Sequence, residues 1–172
     1  MNRKGLLAAA AVVVCLGAGF LYQAFQTPDG STRESREELL NASLEKGEGW
    51  TIVQEKELED RIISAASSSD GRSTIAVFEP EQGGGYRFST STNRYKEEIV
   101  IGGTVVDGTW YDLIWFGGAQ TEYAEVRYTV GGERRDPLRY DTAGMEIIAV
   151  ANPEQEYTIE VSYVDGNGNI YQ

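Results

Sequence analysis

From Trp50 onward the polar and apolar residues alternate with a period of two. In YTIEVSYV, Tyr157, Ile159, Val161 and Tyr163 alternate with Thr158, Glu160 and Ser162; in AEVRYTV, Val126, Tyr128 and Val130 alternate with Glu125, Arg127 and Thr129. Residues two apart share a face only in an extended strand, so each stretch has one face to bury and one to show to water. A chain built of such strands must cover their apolar faces with further layers. Turn signals divide the strands at Asp70-Gly71, at Asp107-Gly108, and at Asp165-Gly166-Asn167-Gly168, which reads as a type I′ turn. QEKELEDRII reads as two strands turning near Glu59 and Asp60, because β-branched residues follow on both sides. Nine or ten short strands without βαβ spacing are expected. The fold class is mainly β: an antiparallel β-sandwich, immunoglobulin-like in its C-terminal half, occupying residues 50–172.

The residues before Trp50 follow different rules. An uncharged run continues from Gly5 until Asp29, and residues 5–25 as a helix would span roughly 31 Å, enough to cross a bilayer. Arg3 and Lys4 precede it, which places the N-terminus in the cytoplasm and the rest outside. Residues 1–26 therefore read as a membrane anchor or signal segment, with a retained anchor favoured over cleavage before Phe20 and secretion. Residues 27–49 read as a linker and a short juxtamembrane helix, capped by Ser31 and closed by Gly47 and Gly49. Leu40 and Leu44 on one side make it a charged stalk lightly packed on the domain.

Composition excludes several chemistries. The chain has no histidine, and its one cysteine, Cys15, lies in the apolar run. Ser-His-Asp and Cys-His catalysis and His-ligated metal sites are thereby removed, leaving carboxylate, Lys or Tyr chemistry, and no cofactor or metal is expected. Setting aside Arg3 and Lys4, 13 of the 15 basic residues face 27 acidic ones, a net charge of −14 beyond the run. Nucleic acid is excluded as a partner on that charge.

The order of IVQEKELED, GGGYRFST, WYDLIWFGG, AEVRYTV and YTIEVSYVDGNGNIY resembles that of small single-pass exported proteins of unknown function from Gram-positive bacteria, over most of residues 50–172. The resemblance implies a β-rich extracytoplasmic domain behind one membrane segment. It brings no activity and no catalytic residue.

Candidate sites are few. In VVDGTWYDLIWFGG, alternation puts Tyr111, Leu113 and Trp115 on one face and Trp110, Asp112, Ile114 and Phe116 on the other. The charged face is either core, covered by the stalk helix, a loop or the N-terminal hairpin, or an apolar groove with a carboxylate handle for a glycan or a partner peptide. Arg134, Arg135 and Arg139 form a second cluster, suited to envelope phosphates or simply paired with nearby acids. YRFSTSTNRY is an aromatic and hydroxyl-rich strand with a weaker claim to binding. DGNGN has Ile170 where a calcium loop requires glycine, and the acidic pairs do not face one another across a cleft. The expected function is a membrane-tethered, non-catalytic binding or sensing domain at the cell envelope, with a cell-wall glycan or an envelope protein as partner. The alternatives are a wall-associated carbohydrate-active enzyme using carboxylates and a structural subunit of a membrane complex.

Overall fold

A computed structural model describes residues 28–44, 49–92, 99–116, 121–142, 146–152 and 156–171. The expected membrane segment over residues 5–25 lies outside them. No described helix is long and apolar enough to cross a membrane. The chain is mainly β, and every strand pairing among the described residues is antiparallel. Twelve strands occur among the described residues; β8 and β12, of two residues each, are too short to leave a periodicity in sequence.

The first sheet is a meander, β1 (Trp50–Leu58), β2 (Arg61–Ser68), β3 (Ser73–Pro80) and β4 (Tyr86–Ser91), in chain order. The middle sheet has the order β10 (Ile148–Asn152), β6 (Thr109–Phe116), β5 (Ile99–Val106). The last sheet runs β12 (Ile170–Tyr171), β11 (Tyr157–Asp165), β7 (Thr121–Val130), β8 (Glu133–Arg134), with β9 (Leu138–Asp141) also pairing β7. Helix α1 (Arg33–Ser43) precedes them all.

Three apolar clusters join these elements as layers. Leu40 of α1 meets Trp50, Ile52, Ile62, Ala66, Ala76 and Phe78 on the outer face of the first sheet. The inner face supplies Ile63, Ala65, Ile75 and Val77, which meet Val100, Leu113, Trp115 and Ile147 of the middle sheet or beside it. The far face of the middle sheet supplies Ile114, Phe116, Ile148 and Val150, which meet Ala124, Val126, Tyr128 and Tyr163 of the last. Strands β2, β3 and β6 thus bury both faces, which is why they read as near-continuous apolar runs.

The turn at Glu59 and Asp60 falls where the sequence placed it, with Glu59 in the left-handed region at φ 52°. Asp107 (φ 50°) and Gly108 (φ 80°) form the expected two-residue connection between β5 and β6, with both residues left-handed as in a type I′ turn. The last hairpin differs from expectation. Only Gly168 in DGNG is left-handed; its N–H donates to the Asp165 carbonyl, and the Asp165 N–H donates to the Asn169 carbonyl. This is a type I turn followed by a left-handed glycine, not a type I′ turn. The Asp165 carboxylate explains it, since it accepts from the N–H groups of Asn167 and Asn169 and from the Asn169 amide, ordering the turn from within.

The helix differs too. Thr32, one residue beyond Ser31, is the cap and accepts from the Ser35 N–H at 3.2 Å. Ser31 instead donates to Asp29. The helix ends at Ser43, before either glycine, and Gly47 lies outside the described residues. It is no lightly packed stalk, because Leu40 is fully buried and Arg36 nearly so.

Its side chains also complete the sheet. Strand β1 is the edge of the meander, with backbone groups that no strand satisfies. Arg33, Glu37 and Asn41, four residues apart on one helical face, supply partners. Asn41 accepts from the Trp50 N–H (2.8 Å) and donates to the Trp50 carbonyl (2.7 Å); Glu37 accepts from the Ile52 N–H (2.8 Å), and Arg33 donates to the Ile52 carbonyl. Removing Asn41 deletes both of its hydrogen bonds to the Trp50 backbone, and losing a partner of a buried polar group costs about 1–3 kcal/mol. Asn41→Ala is therefore expected to destabilise by roughly 2–4 kcal/mol in denaturant unfolding and to speed exchange of the Trp50 amide.

On the adjoining face Arg36 donates through Nε and Nη2 to both carboxylate oxygens of Glu55, at 2.8 and 2.9 Å, while Ser64 donates to the same carboxylate. Burial pushes Glu55 upward, but these hydrogen bonds and the Arg36 charge outweigh it and leave its carboxyl below the ordinary value of 4.5. A depressed carboxyl adds stability above its unfolded pKa and loses it as pH falls through the folded one. Thermal melts are expected to fall as pH drops below about 4.5, and Glu55→Gln to be less stable at pH 7 while losing less on acidification.

Candidate functional site

Strand β6 carries the four residues that the sequence set on one face, and the structure separates them. Ile114 and Phe116 are completely buried, covered by the last sheet rather than by the helix, a loop or the N-terminal hairpin. The apolar groove that is the alternative reading of this face is filled by Ala124, Val126, Tyr128 and Tyr163, so Ile114 and Phe116 form no open surface there and leave the set of binding candidates. Leu113 and Trp115 point the other way, into the first sheet, as alternation requires.

Asp112 is 4% exposed and has no cationic partner among the described residues. Three donors converge on it: the Trp110 indole N–H and the Tyr157 hydroxyl on Oδ1, at 2.9 and 2.6 Å, and the Tyr128 hydroxyl on Oδ2, at 2.7 Å. The two tyrosines belong to β11 and β7 and stack edge to face with centroids 5.3 Å apart. Asp112 thus ties the middle sheet to the last. Burial, the hydrogen bond to Asp112 and the charge of Asp112 push Tyr157 up to about 12, and the same causes push Tyr128 higher still.

Trp110 is the one residue of the four that is substantially exposed, at 42%. Its ring lies on Gly103 of the neighbouring strand, where a Cβ would come within 2.2 Å of Cζ2. Only glycine admits the ring there. The indole is therefore held from behind by Gly103 and from its N–H by Asp112, with its outward side open. Ile101 and Val105, 39% and 46% exposed, flank it on the same face, because register sets Val105 opposite Trp110 and Ile101 opposite Ile114.

The arginine cluster is dispersed. Arg134 pairs with Glu160 across the last sheet. Arg139 stacks on the Tyr123 ring at 3.5 Å from the centroid and sits opposite Glu125. Arg135 is exposed, and its N–H donates to the Tyr128 carbonyl. Arg127 and Arg134, together with Glu125 and Glu160, line an open groove of about 380 Å³ on the solvent face, where opposite charges alternate and no cationic patch forms. The Asp165 carboxylate is taken up within its own turn. Among the described residues no three His, Cys, Asp or Glu side chains gather as a metal site.

Sequence reasoning missed Ile101, Gly103 and Val105 as neighbours of Trp110. The signal was present: the two-residue Asp107-Gly108 turn sets the register of IVIGGTVV against TWYDLIWF. Tyr128 and Tyr157 as partners of Asp112 had no such signal, since they come from strands 16 and 45 residues away. No family model matches the chain, and no match to it was found among curated proteins or solved structures.

Asp112→Ala strands three donors, and a loss of about 3 kcal/mol or more is expected in denaturant unfolding, with faster indole motion in Trp110 anisotropy. A tyrosine raised above its unfolded value contributes stability that is present below that value, near 10, and lost as pH climbs through about 12. Unfolding stability is accordingly expected to fall between pH 10 and 12, and Tyr157→Phe to reduce that fall.

Proposed function

We propose that this protein is a non-catalytic binding domain whose contact surface is the Trp110 indole with Ile101 and Val105 beside it. The observation that carries this reading is a large aromatic ring left half in water yet fixed by Gly103 and Asp112, in a chain whose other tryptophans, Trp50 and Trp115, are 2% and 1% exposed. A ring immobilised in advance pays little ordering entropy when a ligand stacks on it. Isolated apolar residues are ordinary on a surface; three adjoining ones around a braced ring mark a contact area.

The surrounding architecture suits a rigid support, and in this reading the chain from Ile99 onward is an immunoglobulin-like sandwich. The order β10-β6-β5 facing β12-β11-β7-β9 favours it, with inter-sheet packing through Phe116 and Tyr163, 5.3 Å between centroids. The domain is held outside the cytoplasm by residues 5–25, behind Arg3 and Lys4, and its partner is a component of the cell envelope.

Because two of the three tryptophans are sealed, acrylamide quenching reports Trp110. Adding solubilised envelope fractions, peptidoglycan fragments in one and envelope proteins in the other, is expected to protect Trp110 in at least one of them. Trp110→Ala is expected to abolish the response. Quenching unaltered by either fraction overturns the reading.

A further inference from the structure

We propose that the outer edge of β5 takes up an extended segment of a partner polypeptide, apolar at alternate positions and basic at its ends, with Trp110 as the wall against which its side chains settle. This rests on the binding surface proposed above and names its occupant.

The register supplies the first step. In a two-residue hairpin the closing pair, here Val106 and Thr109, exchanges both backbone hydrogen bonds, and the exchange recurs at every second residue. Thr104, Gly102 and Val100 therefore bond to β6, while the N–H and C=O groups of Ile101, Gly103 and Val105 point away from it. Strand β5 ends the order β10-β6-β5, and among the described residues no backbone hydrogen bond reaches those three. Edges of this kind are normally blunted by a lysine, a proline or a bulge. Ile99–Val106 has no charge, no proline and no shift of register.

The side chains supply the second step. Ile101, Val105 and the indole lie on one face of this edge, and the indole N–H is already spent on Asp112. On this face the polar groups left to a ligand are main-chain ones repeating every second residue, which an extended polypeptide matches better than a sugar does. On the opposite face the Thr92 methyl packs directly on Gly102, and a crevice of about 160 Å³ opens next to it, bordered by Thr90, Ser91 and Gly103. Charge supplies the third. The chain beyond its apolar run carries −14, and exposed Asp107 stands at the end of β5, so basic flanks are attracted and a second copy of this chain is repelled.

The test uses the full chain and the synthetic peptide Lys-Lys-Val-Thr-Val-Thr-Val-Lys-Lys, with Trp110 quenching as readout and circular dichroism to confirm folding. The peptide is expected to shield Trp110. Methylating its alternate amide nitrogens, or replacing Val105→Pro to delete an outward N–H, is expected to weaken binding roughly tenfold or more. Ile101→Lys, which leaves the backbone intact and sets like charge against the peptide, is expected to weaken it similarly and serves where the proline variant does not fold. Equal binding by the methylated peptide, or by both variants, overturns the proposal. Shielding of Trp110 by peptidoglycan oligosaccharides but not by the peptide overturns strand docking and leaves the binding surface standing. Shielding by neither overturns strand docking, and the binding surface falls with it if the envelope-protein fraction also leaves Trp110 quenching unaltered.

Discussion

The burial of β6 on both faces is the constraint from which the remaining arrangement follows. Leu113 and Trp115 enter one apolar cluster, Ile114 and Phe116 the other, so neither neighbouring sheet can be removed without exposing large side chains. A strand in that position tolerates a polar side chain only where donors meet it, since an unpaired buried polar group costs more than a made hydrogen bond returns. Asp112 meets that condition through Trp110, Tyr128 and Tyr157. One of the three bonds that satisfy the carboxyl also holds an indole at the rim of the sandwich, so the support of the core and the geometry of the surface are one arrangement.

The fold treats two of its edges differently. At β1, the helix presents Arg33, Glu37 and Asn41 at a spacing of four, and their side chains meet the N–H and C=O groups of Trp50 and Ile52 as a neighbouring strand would. At β5 the described residues supply no such cover, although the strand is uncharged and regular. An edge of that composition is a hazard where nothing covers it, which gives the contrast among the described residues its weight.

Much of the strand layout was legible because it depends on neighbours in sequence. Alternation identified the buried faces of β7 and β11 through Val126, Tyr128, Ile159 and Tyr163, and glycine-bearing turns marked most hairpins. The turn at Glu59 was legible for the same reason. The helix cap slipped by one residue, because Ser31 and Thr32 are chemically equivalent caps and the competing acceptor Asp29 decides between them. At the candidate site, the sequence placed Trp110 and Asp112 on one face and could not show that Ile114 and Phe116, two and four residues further along it, lie beneath another sheet.

The sequence by itself determined that the chain after Trp50 is extended and antiparallel, that it lacks imidazole and has no thiol beyond Cys15, and that its charge is strongly negative beyond the apolar run. Those properties follow from periodicity, turn chemistry and composition, which act over a few residues or by counting. Tertiary structure alone decided that both faces of β6 are covered and how far, because burial depends on the distant strands β2 and β3 on one side and β7 and β11 on the other. It also decided that Asp112 is a sealed tie between sheets and not a handle, and that Trp110 remains in water on a bed of Gly103.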